Sequence, residues 1–132
     1  MPRVLGPSRK PASRLVRAPL PERPPTASRG YDNLWRKTSE RYRRRHPFCR
    51  FCAQVGRQRF GDDVDHIIPI EDGGDRLKVE NLQPLCRACH NGLKKPMERY
   101  ARERGLIYLL PTWCADPESR PRRFNSGLPA HR

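Results

Sequence analysis

The sequence predicts a small α+β domain organised around two paired-cysteine turns, with flanking helices and disordered basic tails. Three observations predict it. Cys49 and Cys52, then Cys86 and Cys89, stand in two CxxC pairs. Short β-branched and apolar runs lie between the pairs, and helix-length segments lie outside them. Only 35% of the 132 residues are apolar and 15 are proline, too little material for a self-sufficient core, and domains of that kind commonly depend on a metal or on disulfides. Two residues between cysteines let a tight turn aim both sulfurs at one ion, and two such turns complete the tetrahedron of a structural Zn²⁺ site. Zinc is then expected to be a folding requirement, because a structural zinc ion supplies folding free energy directly. The 33 residues from Cys52 to Cys86 exceed the spacer of compact zinc modules, so a sizeable insert must loop out between the two turns.

The net charge is +14, from 28 basic and 14 acidic residues. Such an excess points to a polyanionic partner, most simply nucleic acid. An arginine-rich composition with solvated tails is the other reading. No apolar run approaches the length of a membrane span, and the N-terminus lacks the apolar stretch of a secretory signal, so no membrane association is expected and the expected compartment is the cytoplasm. Five cysteines in such a chain read as reduced, metal-binding thiols with one, Cys114, left over as a small buried thiol.

Along the chain, residues 1–29 hold seven prolines and seven basic residues. Without apolar periodicity they read as a disordered tail; the alternative, an organelle transit peptide, is opposed by those prolines. The domain is expected over residues 30–110. A helix should begin at Tyr31 with Asp32 as its N-cap and end near His46, ahead of Pro47. Tyr31, Trp35, Thr38 and Tyr42 share one face, read as core. Other faces carry Arg36, Lys37, Arg41, Arg43, Arg44 and Arg45, cations suited to releasing counterions from DNA phosphates or else simply solvated.

Gly56 and Gly61 mark turns, with room for a short strand between them. VDHIIPI over 64–70 reads as a strand closed by Pro69, EDGGD as a loop, and VENLQPL over 79–85 as a second strand. CRACHNGLKK opens a helix carrying Cys89 and His90. Its Lys94 and Lys95 suit DNA phosphate contact or the helix dipole equally. Pro96 fits the first turn of a further helix closed by Gly105. The run GLIYLLPTW is apolar enough to pack back on the domain, and residues 111–132 are expected to be mostly disordered.

The chemistry is expected in the insert. Asp65 and His66 adjoin on a strand, so alternation sends them to opposite faces. That suits a carboxylate that binds a metal beside an imidazole that takes a proton. His90 follows a zinc cysteine directly, and on a helix the two side chains point about 100° apart, so one can face the zinc and the other a separate cleft.

The pattern D-H-I-x-P, then G-G, then N-L-Q-x-L-C-x-x-C-H, resembles the HNH (ββα-metal) endonucleases, specifically the branch with a four-cysteine zinc site. It is similar to small phage-encoded proteins of that family associated with DNA-packaging terminases. The resemblance covers about Tyr31 to Lys95, with Val64 to His90 as its core. It implies a ββα-metal fold and hydrolysis of DNA phosphodiester bonds with one Mg²⁺ or Mn²⁺ ion held by Asp65 and His90. His66 would be the general base and Asn81 the residue that ties the loop to the strand and holds His66 in line. Products would carry 5′-phosphate and 3′-hydroxyl ends, and a terminase subunit is an implied partner. Leu93, Lys94 and Lys95 stand where some members carry a further metal ligand. The rival reading is a non-catalytic, zinc-stabilised DNA-binding module.

Overall fold

The computed structural model describes residues 32–125 and 128–129. The tail expected over 1–29, Tyr31 in the helical stripe, and residues 126–127 and 130–132 of the expected C-terminal tail lie outside the described residues.

Helix α1 spans Asn33–Arg45. Its first turn forms because extended Asp32 caps it, the carboxylate accepting from the Trp35 amide at 3.0 Å. It ends at His46, ahead of Pro47. Trp35 is buried on its inner face, and the Tyr42 hydroxyl donates to the Leu82 carbonyl at 3.1 Å. After Pro47 comes a short α2, Arg50–Gln54, whose cap is a cysteine: Cys49 Sγ accepts from the Cys52 amide at 3.5 Å. The strand expected between Gly56 and Gly61 does not form. That stretch is largely exposed and polar, so a strand there would have no face to bury; one isolated bridge joins Phe48 to Phe60.

Strands β1 (Asp63–His66) and β2 (Leu82–Leu85) make an antiparallel pair that sets Asp65 opposite Gln83 and His66 opposite Leu82. β1 stops at His66, short of the run expected through Ile70. One more backbone bond follows in register, from the Ile67 amide to the Asn81 carbonyl, but the Ile68 amide goes to the Asn81 side chain, each at 2.8 Å. Pro69 then offers no donor at all. The returning loop crosses so close to the end of β1 that a Cβ on Gly74 would lie 1.8 Å from the Ile68 carbonyl oxygen; only glycine fits.

From Cys86 the chain runs without a break through α3 (Arg87–Cys89), a π turn (His90–Lys94) and α4 (Lys95–Arg104). The expected second helix is thus continuous with the first. The wide turn lies where the ring of Pro96 would otherwise meet the carbonyl four residues back. Gly105, at φ 69°, closes α4 in the left-handed conformation.

The C-terminal expectation needs correction. Residues 111–125 are not a tail: α5 (Leu110–Ala115) and the two short turns after it place Trp113, Cys114 and Phe124 in the core with Phe51, Leu85 and Met97. Arg120 ties the segment down, donating to the Trp113 carbonyl at 2.6 Å and to Gln54 at 2.9 Å while lying over the Phe51 ring. Sparse apolar residues among polar ones conceal such a segment; its partner is a core that the rest of the chain leaves open on one side. Among the described residues no helix is long and apolar enough to cross a membrane.

Candidate active site

The four cysteines converge. The Sγ atoms of Cys49, Cys52, Cys86 and Cys89 lie within 4.8 Å of one another, all buried, and Cys52 Sγ is 3.9 Å from both Cys86 and Cys89. Thiolates ~2.3 Å from one zinc ion stand ~3.8 Å apart at tetrahedral corners, so the donor set fits a metal ion such as zinc. The thiols also perturb one another. The hydrogen bond from Cys89 pulls the Cys49 thiol down, whereas giving that bond pushes Cys89 up. Burial and the charge on Cys49 likewise push Cys52 up.

This cluster anchors α3, and α3 delivers His90 to β1. Alternation places Asp63 and Asp65 on one face of β1, and both meet the imidazole: His90 Nε2 is 3.4 Å from Asp65 Oδ1 and Nδ1 is 3.7 Å from Asp63 Oδ2. Asp65 is buried, at 5% exposure. Burial alone would raise its pKa, but the His90 hydrogen bond, the Lys94 charge and the Gln83 amide outweigh it and hold the carboxyl below the usual range. The sequence-predicted pair Asp65 and His90 is therefore brought together as an ionised carboxylate beside an imidazole, a donor set that suits a divalent cation.

His66 takes the opposite face. Its ring packs on Trp35, centroids 4.5 Å apart, and its Nε2 lies 2.9 Å from the Arg76 carbonyl oxygen. A carbonyl can only accept, so Nε2 carries the proton and Nδ1 is left with a lone pair. Arg76 is itself held, its guanidinium 2.8 Å from Asp32 Oδ1. The side-chain hydrogen bonds of Asn81 run to the backbone beyond His66 rather than to its ring. Its Oδ1 accepts from the Ile68 amide, and its Nδ2 donates to the carbonyls of Ile68 at 3.0 Å and Asp75 at 2.8 Å.

Of the cations expected to face DNA, Arg36, Lys37, Arg41, Arg44, Arg45 and Lys95 are exposed. Lys94 is not, which corrects both expectations for it. Its side chain is fully buried, 2.9 Å from Asp65 Oδ2 and 2.9 Å from the His66 carbonyl, and paired with Glu98. Burial pulls its pKa down, but the surrounding negative charges, Asp65 first, more than reverse that and keep it protonated. Lys94 is the last residue of the π turn, and both it and Leu93 are buried.

Sequence reasoning also missed Gln83, Glu98, Arg76 and Trp35 as neighbours of these groups. Glu98 stands four residues after Lys94, a spacing that signals an ion pair on a helix. Gln83 could have been found only from the strand register, and the Arg76 carbonyl carries no signal in sequence at all.

Residues 49–95 match the family model described as HNH endonuclease. The two-stranded sheet, the helix after it and the four-cysteine cluster fit an HNH ββα-metal domain. Among curated proteins, the DNA annealing helicase and endonuclease ZRANB3 of Homo sapiens is 43% identical over 44 residues, 33% of this chain and 4% of that protein. Its counterpart in Mus musculus is 41% identical over 44 residues, with the same coverage. The chain thus matches only about 4% of the length of these relatives. No solved structure matches.

Proposed function

We propose that the chain is a divalent-metal-dependent endonuclease that hydrolyses DNA phosphodiester bonds. The observation that carries this reading is the approach of His90 Nε2 to Asp65 Oδ1 at 3.4 Å, on two elements locked together beside a four-thiol cluster, with a tautomerically fixed imidazole on the adjoining residue. Asp65 and His90 would hold Mg²⁺ or Mn²⁺, which when bound supplies charge stabilisation for the phosphate and the leaving oxygen. His66 Nδ1 accepts the proton of the attacking water. The Arg76 carbonyl keeps the imidazole in the one tautomer that can do so, and the Trp35 ring limits its rotation. Asn81 holds the strand end and the returning loop in register, so that the Arg76 carbonyl stays opposite His66. A Zn²⁺ ion in the four-cysteine cluster is structural and takes no part in the reaction.

The exposed cations of α1 contact phosphates, a sequence-independent mode of binding. A terminase subunit is the partner that the resemblance to small phage proteins suggests; co-purification from cells expressing both chains tests it, and absence of an association counts against it.

A plasmid nicking assay with Mg²⁺ or Mn²⁺, comparing the wild type with His66→Ala, tests the activity. Cleavage by the wild type alone is the expected result. Cleavage by neither, from protein that retains zinc and binds DNA, would favour a non-catalytic DNA-binding module, and equal cleavage by both would place the chemistry elsewhere.

A further inference from the structure

We propose that Lys94, together with Gln83, is a specificity-determining positioning residue: the pair leaves Asp65 one oxygen for a bound cation and so selects small octahedral ions over calcium. This rests on the metal-site reading of Asp65 and His90. The side chain of Asp65 is asymmetrically used. Its Oδ2 accepts from Gln83 Nε2 at 2.8 Å and lies 2.9 Å from Lys94 Nζ. Two donors occupy both lone pairs of that oxygen. Its Oδ1 faces His90 instead.

Neither donor is free to leave. The three protons of Lys94 are matched by three oxygens, those of Asp65, Glu98 and the His66 carbonyl. The side chain is fully buried, so the ammonium cannot swing out to a phosphate. Gln83 is also fully buried, and its Oε1 accepts from Arg50 at 3.2 Å, which fixes the amide's orientation. Lys94 thereby joins β1 to the helical run that carries His90, and does so through the carboxylate that would meet the ion.

Calcium favours six to eight oxygens and readily takes a carboxylate through both of them, whereas magnesium demands octahedral geometry and is content with one oxygen per carboxylate. A carboxylate whose second oxygen is held by an ammonium and an amide therefore handicaps calcium specifically. Outer partners of this kind typically change metal affinity by about 10–100-fold. A purely structural Lys94 would instead weaken every ion alike.

The test is Mn²⁺ binding to the zinc-loaded full chain, followed by electron paramagnetic resonance, with Mg²⁺ and Ca²⁺ as competitors. Wild type, Asp65→Asn and Lys94→Met are compared. The expected result is Mn²⁺ binding that Asp65→Asn abolishes, with the Ca²⁺-to-Mg²⁺ affinity ratio raised about tenfold or more in Lys94→Met. An unchanged ratio in Lys94→Met overturns the inference and leaves the metal site standing. Identical Mn²⁺ binding by wild type and Asp65→Asn overturns the metal site itself, and the inference with it. Should Lys94→Met lose its zinc and its fold, Gln83→Leu asks the same question of the other Oδ2 donor: a shift of the ratio toward calcium supports the inference, and an unmoved ratio sinks it.

Discussion

His66 Nε2 and the carbonyl oxygen of Arg76 lie 2.9 Å apart, and that pairing determines which nitrogen of the imidazole can act as a base. Both residues are in turn tied to α1. Asp32 binds the Arg76 guanidinium while capping α1, and Trp35, three residues on, packs on the imidazole. One helix N-terminus thus holds the His66 imidazole by its ring face and by its hydrogen-bond partner. Replacing His66 with alanine should leave zinc content intact and lower cleavage by about 10²–10⁴-fold, the usual contribution of a positioned general base. Metal analysis together with the nicking rate checks both halves.

Asn81 and Gly74 form one device, and their substitutions should behave alike. Asn81→Ala strands the Ile68 amide and removes the donors to two carbonyls, at a cost of about 1–3 kcal/mol. Gly74→Ala drives a Cβ against the Ile68 carbonyl, an overpacking worth about 1–3 kcal/mol. Both should lower Tm by several degrees in calorimetry and reduce cleavage with zinc retained. A variant with wild-type Tm and activity would show that the clamp does not hold the loop.

Removal of an ion held by the four cysteines should act on the whole domain. The four sulfurs sit inside the same core as Phe51, Leu85 and Met97, so Cys86→Ser, or a strong chelator added to the wild type, should abolish the cooperative thermal transition rather than shift it. Circular dichroism during chelator titration reads this directly. Retention of a sharp transition after zinc has left would mean that the apolar core suffices alone.

The basic face of α1 should govern affinity and not chemistry. Changing Arg41, Arg44 and Arg45 together to glutamine should weaken DNA binding. It should also flatten the salt dependence by about 0.9 in log–log slope for each phosphate that the protein no longer neutralises. Fluorescence anisotropy at several salt concentrations gives the slope; the same slope as wild type would place the DNA on another surface.

Much of the fold was legible because it follows from local chemistry. The Asp32 cap, the stop at Pro47, the left-handed Gly105 and the two cysteine pairs depend on neighbours within a few residues. The singling out of Asp65, His66, Asn81 and His90 came from a pattern of residue types resembling a known family, and the fold brings Asp65 and His90 together. The details that give those residues their chemistry were not. The length of β1 depended on Asn81, thirteen residues away from the Ile68 amide it intercepts. The order of residues 111–125 depended on the core left open by the cysteine cluster.

The sequence by itself determined which groups are available: four cysteines in two CxxC pairs, a carboxylate and two imidazoles between and beside them, and a helix rich in cations. Tertiary structure alone decided how each is used. Lys94 reads in sequence as one of two adjacent helix lysines, yet at the end of the π turn it lies in the core while Lys95 stays in solvent. The reason is geometric: the direction of a side chain relative to a distant strand depends on helix winding and on where the helix docks, and neither is encoded within the few residues around the lysine.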